Sequence, residues 1–255
     1  MTPLPVRKKD VSRINGVLLL TPKKSAPFED LYLKVRAREQ WLVSDEALKL
    51  LPETSPQHAH AREWQIRADS TAKLASYLKR MALSSSDWLL DIGCGNGWQS
   101  HLLARHTQAN VLAIDINLQE LEQGARVFSR DNLTFAYLDL FSGCLQPQTF
   151  KFVLAGSCLQ YFPDAISLID LGLDLLMPGG EFHIIDSPFY QPAGVMAAKQ
   201  RSLDYYRQLG FGQMSEYYHH HNIAIFDEYN SEFLYKKPPE AGKGTNPFPW
   251  IKLVP

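Results

Sequence analysis

Three carboxylates and three glycines carry the chemistry most open to this sequence. In Trp88-Leu89-Leu90-Asp91-Ile92-Gly93-Cys94-Gly95-Asn96-Gly97 an apolar run ends in glycines on alternate positions, and apolar residues then resume at helical spacing. That order reads as strand, tight turn, helix. Glycine in such a turn admits positive φ, lets the backbone approach a ligand and lets the helix pack closely on its strand. A nucleotide-like ligand is therefore expected at the turn. Asp115 and Asp139 follow at the ends of two further apolar runs, so three acids stand at three successive strand ends. A carboxylate at the end of the second strand is where a ribose finds an acceptor for its hydroxyls. Capping of helices and turns is the competing use of such acids.

A second set of residues is placed to act on an acceptor. Asp186 heads Asp186-Ser187-Pro188-Phe189-Tyr190 at the end of a fifth apolar run, and reads as pocket wall, general base or a turn at the loop start. His219, His220 and His221, with Tyr217 and Tyr218, could line the same pocket or form an exposed turn. Adjacent histidines point in different directions and no second cluster stands by, so no metal site is expected. Tyr161 and Phe162 are candidate pocket walls. Arg67 could reach a ligand carboxylate or lie on a solvated helix face, and Glu39 and Trp41 belong with it. Trp98 is expected to pack its helix on the sheet.

The elements that must position these residues alternate. Strands are expected at Asn110 to Asp115, Leu133 to Leu138, Phe150 to Ala155 and Glu181 to Ile185, with helices from Asn117, from about Asp164 and from Pro192 to Leu209. Strand-helix alternation at this pitch argues for a parallel sheet covered on both faces. Asn222 to Phe226 and Ser231 to Tyr235 read as two more strands, paired as a hairpin at the sheet edge. Upstream, Ala61 to Met81 is an amphipathic helix. Residues 1–60 read as an N-terminal extension with an Asn15-Gly16 turn and helices around Phe28 to Trp41 and Asp45 to Leu51. Residues 61–236 form the core, and 237–255, rich in Pro and Gly, an irregular tail.

Composition narrows the function. Twenty-six Lys and Arg against 27 Asp and Glu give a net charge of −1, which offers no electrostatic footprint for nucleic acid or an anionic membrane. The apolar run Val17 to Leu20 is too short for a membrane span or signal core, and a cytoplasmic location is expected. Cys94, Cys144 and Cys158 form no CxxC pair and point to reduced thiols. No G-x-x-x-x-G-K-[ST] cradle occurs, which argues against nucleoside triphosphate chemistry.

A dinucleotide-binding G-x-G-x-x-G would need glycine where Trp98 stands. The spacing Gly93-x-Gly95-x-Gly97 instead resembles the class I S-adenosylmethionine-dependent methyltransferases, whose first motif is similar to Asp91 to Gly97 here. The resemblance runs in order through roughly residues 85–186: Leu138-Asp139-Leu140-Phe141 after the third strand, Ala155 to Phe162 after the fourth, and Leu176-Met177-Pro178-Gly179-Gly180 before the fifth. It implies a three-layer Rossmann-like α/β sandwich with a mostly parallel seven-stranded sheet, an antiparallel edge strand and an N-terminal helical extension. The implied cofactor is S-adenosylmethionine, with S-adenosylhomocysteine as product. Asp91, Gly93, Cys94, Gly95 and Gly97 would form its turn, Asp115 and Ile116 its ribose side, Asp139 the acceptor for the adenine amino group, Leu140 and Phe141 the ring's flanks, and Ser157 the loop beneath.

The function so implied is methyl transfer to an O or N atom of a small-molecule or lipid-linked acceptor, with Asp186, His219 or His220 as the base where one is needed and residues 1–60 as a lid. Asp186 to Tyr190 departs from the D/N-P-P-Y motif of amino-methylating enzymes: Ser187 replaces a proline, and the stretch follows the fifth strand instead of the fourth. That specificity is not carried over. The rival readings are a non-catalytic cofactor-binding subunit and an NAD-dependent oxidoreductase, the latter opposed by Trp98 and Asp139.

Overall fold

The computed structural model describes residues 2–7, 11–23, 27–238, 240, 242 and 245–255. Asn15 and Gly16, both at positive φ (45° and 88°), turn β1 (Ser12–Ile14) into β2 (Val17–Leu19) as tight hairpins require. α1 (Pro27–Arg38) and a short α2 (Asp45–Leu48) follow, the latter capped by the Ser44 side chain, which accepts from the Ala47 amide at 3.2 Å. α3 (Ala61–Leu78) buries Trp64, Ile66, Leu74 and Leu78 on one stripe. Alternation then sets in with β3 (Trp88–Ile92), α4 (Trp98–His106), β4 (Asn110–Asp115), α5 (Leu118–Val127), β5 (Leu133–Tyr137), β6 (Phe150–Gly156), α6 (Ala165–Leu175) and β7 (Leu176–Ile185). Asn117 and Asp164 cap α5 and α6 through their side chains, as their positions before apolar stripes predict. The chain ends with β8 (Phe189–Tyr190), α7 (Val195–Gln208), β9 (His221–Asn222), β10 (Ser231–Tyr235) and β11 (Trp250–Leu253).

The main sheet has the order β1-β2-β5-β4-β3-β6-β7-β11-β10, and β8 pairs with β9 separately. From β2 to β7 every pairing is parallel, while β1, β11 and β10 run antiparallel at the two edges. The fold is thus mostly parallel with antiparallel edges and flanked by helices. After β3 the chain lays β4 on one side and β6 on the other. That reversal opens a crevice beyond the carboxyl end of β3, where ligands bind in open α/β sheets. All five residues of β3 are buried, and Phe150, Phe152 and Phe182 are fully enclosed in the layers above and below.

Three sequence expectations need correction. The main sheet has nine strands where seven are expected, because the N-terminal extension supplies two: Val17 is wholly buried, and β2 pairs with β5 through Leu18 and Leu19. The expected hairpin of residues 222–226 with 231–235 does not form. The Asn222 side chain accepts from the Ala224 amide at 3.0 Å and turns Ile223–Glu228 into a 3-10 helix, a local bond that outcompetes the strand ladder. Instead β10 pairs with β11, in the stretch expected to be an irregular tail. There Ile251 and Leu253 are buried, and Trp250 Nε1 donates to His183 Nδ1 at 2.8 Å, so β11 slots between β7 and β10.

Candidate functional site

The carboxyl ends of β3 to β7 converge on three adjoining cavities. Positive φ at Gly93 (65°), Gly95 (54°) and Gly97 (73°) carries the chain from β3 into α4. At Gly93 a β-carbon would stand 2.6 Å from Cys158 Cβ, and at Gly97 only 2.2 Å from the Phe135 ring, so steric fit as well as conformation demands glycine at both. Asp91, buried beneath the turn, accepts from Ser100 Oγ at 2.5 Å; burial pushes its carboxyl up to about 7 against that bond.

Beside the turn lies an apolar cavity of about 330 Å³. Ile92, Ile116, Leu138, Leu140, Phe141 and Phe162 give it hydrocarbon walls, and Asp115, Asp139 and Glu120 give it acids. Asp115 accepts from the amides of Gly95 and Asn117, both at 2.8 Å, which fixes each carboxylate oxygen and leaves further lone pairs for a ligand. Burial raises its pKa, opposed by those same bonds. Asp139 caps a short 3-10 turn, Leu140–Ser142, by accepting from the Phe141 amide at 3.2 Å. A smaller cavity of about 110 Å³ continues under the glycine turn, lined by Asp91, Gly93, Cys94, Gly95, Trp98, Gln99, Arg67 and Glu120. Acids for a ribose, apolar walls for a base and a cation near the far end form a donor set that suits S-adenosylmethionine.

A third cavity, of about 500 Å³, shares Ser157 and Tyr161 with the other two. Ser157 at φ 54° and Asp186 at φ 52° are non-glycine residues in the left-handed region, at the ends of neighbouring strands β6 and β7. Each costs on the order of 1 kcal/mol, a strain that structures retain at functional sites. Asp186 is buried in the cavity wall; Ser70 Oγ donates to it at 2.6 Å and accepts from Asn246 Nδ2 at 2.9 Å. Burial raises its carboxyl to about 6, opposed by the Ser70 bond and the Arg67 charge. α7 presents Ala198, Arg201, Ser202 and Tyr205 at helical spacing, and α1 presents Arg36.

Of the candidate bases, then, only Asp186 reaches this cavity. His219 and His220 are not among its lining residues. His219 uses its backbone amide, donating to Gln160 O at 2.7 Å. The His220 ring faces Ser202 Oγ at 2.8 Å, and burial lowers its pKa to about 4 with help from Lys199. Among the described residues no group of three or more His, Cys, Asp or Glu is arranged to hold a metal ion, and no helix is long and apolar enough to cross a membrane.

Sequence reasoning missed two contributions. Glu120 on α5 lines both smaller cavities, and burial together with the Asp115 charge raises its carboxyl to about 7. α1 forms a wall of all three cavities through Phe28, Tyr32 and Arg36, which share one helix face at four-residue spacing. Glu29 fastens it by accepting from the Leu118 amide at the start of α5 (3.3 Å), and Tyr32 meets Tyr161 edge-on at 5.4 Å. The i, i+4, i+8 spacing was the available signal.

A parallel α/β sheet with its crevice at the β3 switch point and acids at successive strand ends defines a Rossmann-like domain for a nucleoside cofactor. Residues 89–180 match the family described as a methyltransferase domain. The chain is 32% identical over 133 residues to the ubiquinone biosynthesis O-methyltransferase of Xylella fastidiosa (strain M23), covering 49% of this chain and 51% of that one. It is 28% identical over 169 residues to the 27-O-demethylrifamycin SV methyltransferase of Amycolatopsis mediterranei, covering 64% and 58%. It spans about half the length of the curated relatives it matches. Among solved structures, the geranyl diphosphate C-methyltransferase of Streptomyces coelicolor A3(2), in complex with S-adenosylhomocysteine, superposes with a TM-score of 0.60 at 11% identity, over 91% of this chain and 98% of that one. Phosphoethanolamine N-methyltransferase 2 of Haemonchus contortus, in complex with S-adenosylmethionine, gives 0.54 at 16% identity, over 92% and 61%. These likenesses establish the fold. Residues 89–180 thus match a methyltransferase domain, set in the fold shared by S-adenosylmethionine-dependent methyltransferases.

Proposed function

We propose that this chain transfers a methyl group from S-adenosylmethionine to an oxygen or nitrogen of a small-molecule acceptor. The observation that carries the reading is the shared wall: Ser157 and Tyr161 border the two cavities suited to the cofactor and the 500 Å³ cavity beside them. In this reading Asp115 and Glu120 accept from the ribose, Asp139 accepts from the adenine amino group, and Ile116, Leu140 and Phe141 enclose the ring. Gly93, Cys94, Gly95 and Gly97 bring the backbone close, while Asp91 braces that turn through Ser100. Arg67 faces the amino-acid end.

The cofactor supplies a methyl carbon already activated by its sulfonium, so the protein's work is alignment and exclusion of water. α1 and α7 wall the acceptor cavity. Asp186 takes the proton of a hydroxyl acceptor, its raised pKa bringing it nearer to neutral working conditions. Calorimetric titration with S-adenosylmethionine, S-adenosylhomocysteine and NADH tests the cofactor, and a screen of a metabolite extract tests transfer. Saturable binding of the first two alone, with a labelled methylated product, is expected. Binding of NADH in their place would overturn the reading. Binding without any product would favour a non-catalytic subunit.

A further inference from the structure

Three arginines line the 500 Å³ cavity: Arg36 from α1, Arg67 from α3 and Arg201 from α7. The guanidinium carbons of Arg36 and Arg67 lie 4.6 and 4.7 Å from the centroid of the same Trp41 ring, and that of Arg67 also lies 4.9 Å from the Trp64 ring. Cation–π contact offsets part of their desolvation but neutralises neither charge. Among the described residues none of the three forms a salt bridge, and Arg36 Nε is buried with no hydrogen-bond partner. The nearby carboxylates act on these cations through charge alone, Asp186 on Arg67 and Glu39 and Glu120 on Arg36, and spend their hydrogen bonds elsewhere or face solvent. Asp186 accepts from Ser70, Glu39 accepts from the Tyr205 hydroxyl at 2.7 Å, and Glu63 is exposed.

A buried donor left without an acceptor is costly, and a planar guanidinium offers several donors in a fork matched to carboxylate or phosphate oxygens. The cofactor brings a single carboxylate at its amino-acid end, which Arg67 meets in the proposed function; that leaves Arg36, whose Nε is buried and unpartnered, and Arg201, which lines the same cavity while solvent-exposed. The remaining wall is largely aromatic, with Tyr161, Tyr190, Tyr206, Tyr218 and Phe248.

We infer that the methyl acceptor is an anion: a small molecule whose carboxylate or phosphate is held by Arg36 and Arg201 while its flat body lies among the tyrosines. This rests on the proposed function, which takes the cavity to be the acceptor's.

The test uses the full chain saturated with S-adenosylhomocysteine and titrated with matched probes: 4-hydroxybenzoate against 4-hydroxybenzamide, and phenyl phosphate against phenol. At least one anionic member is expected to bind about tenfold more tightly than its neutral partner, and the pair that shows it tells carboxylate from phosphate. That preference is expected to shrink to about twofold in Arg36→Gln and in Arg201→Gln, with S-adenosylhomocysteine affinity retained in Arg201→Gln, whose side chain lines only the larger cavity. Equal binding within both pairs, no binding of any anionic probe, or a preference that survives both substitutions would overturn the inference. So would loss of S-adenosylhomocysteine binding in Arg36→Gln, which would give that arginine to the cofactor. Failure of the wild-type chain to bind S-adenosylhomocysteine is a different result: it removes the proposed function itself, and this inference with it.

Discussion

The half of the site proposed for the cofactor is built from strand ends, whereas the half proposed for the acceptor is built mostly from helix faces and loops drawn from distant parts of the chain. Asp91 and Asp115 sit in the last residues of β3 and β4, placed by the register of buried strands, and Asp139 follows β5 by two residues. Arg36, Arg67, Arg201 and Tyr205 come from α1, α3 and α7. A strand end fixes a side chain through its ladder on both sides, so its place is dictated by the sheet. A helix face is placed only by what it packs against, and it can change without disturbing the sheet. The difference teaches that cofactor chemistry belongs to the scaffold and acceptor choice to what is laid over it.

Substitutions in the two halves should therefore fail differently. The largest effect is expected from Asp186→Asn, with kcat down about a hundredfold or more and little change in cofactor affinity, if the acceptor is a hydroxyl. With its carboxyl held near 6, wild-type activity should rise with pH through that value as the basic form appears, and the mutant should lose this limb. A fall of less than about tenfold would remove Asp186 as a base. Asp115→Ala should do the reverse, weakening S-adenosylmethionine binding by about ten- to a hundredfold in calorimetry, because a charged acceptor and the brace for the Gly95 and Asn117 amides are lost together. Unchanged affinity would break the assignment of that cavity to the cofactor.

Glu120→Gln sharpens the comparison further, with an expected loss of about tenfold. Because burial raises the Glu120 carboxyl to about 7, the acceptor form is lost as pH falls through neutrality. Wild-type affinity should decline from pH 8 to pH 6, and the mutant should respond less. Trp250→Phe, outside both halves, should leave ligand affinity alone and lower the melting temperature by roughly 2–6 °C, since it strips His183 Nδ1 of its donor in a buried site. Burial also depresses the His183 pKa below its unfolded value, so its contribution to stability is complete above about 6.5 and is lost as pH falls below it. Urea melts at pH 7.5 and 5.5 measure that loss.

The same contrast explains what the sequence made legible. Gly93 to Gly97, Asp115 and Asp139 could be read because short apolar runs ending in a glycine turn or an acid have few structural solutions. Asp186 could be read for the same reason. Glu120 was missed because it lies within α5, where an acid three residues past a cap looks like an ordinary first-turn residue. His219 and His220 misled because residue type says nothing about which atom is used: one contributes an amide, and the other turns its ring to Ser202. β11 was hidden by the Pro- and Gly-rich stretch before it, although Trp250, Ile251 and Leu253 are apolar enough for a strand. That Ala198, Arg201, Ser202 and Tyr205 face a cavity instead of a core cannot be told from periodicity, which is identical in the two cases.

α1 walls all three cavities and is fastened to α5 through Glu29. Displacing this one helix opens the nucleoside compartment and the acceptor compartment at once. Under the proposed function, departure of spent cofactor and departure of product would share a single gate, so their off-rates should rise and fall together, and whichever ligand holds the gate shut longer should set the pace of turnover.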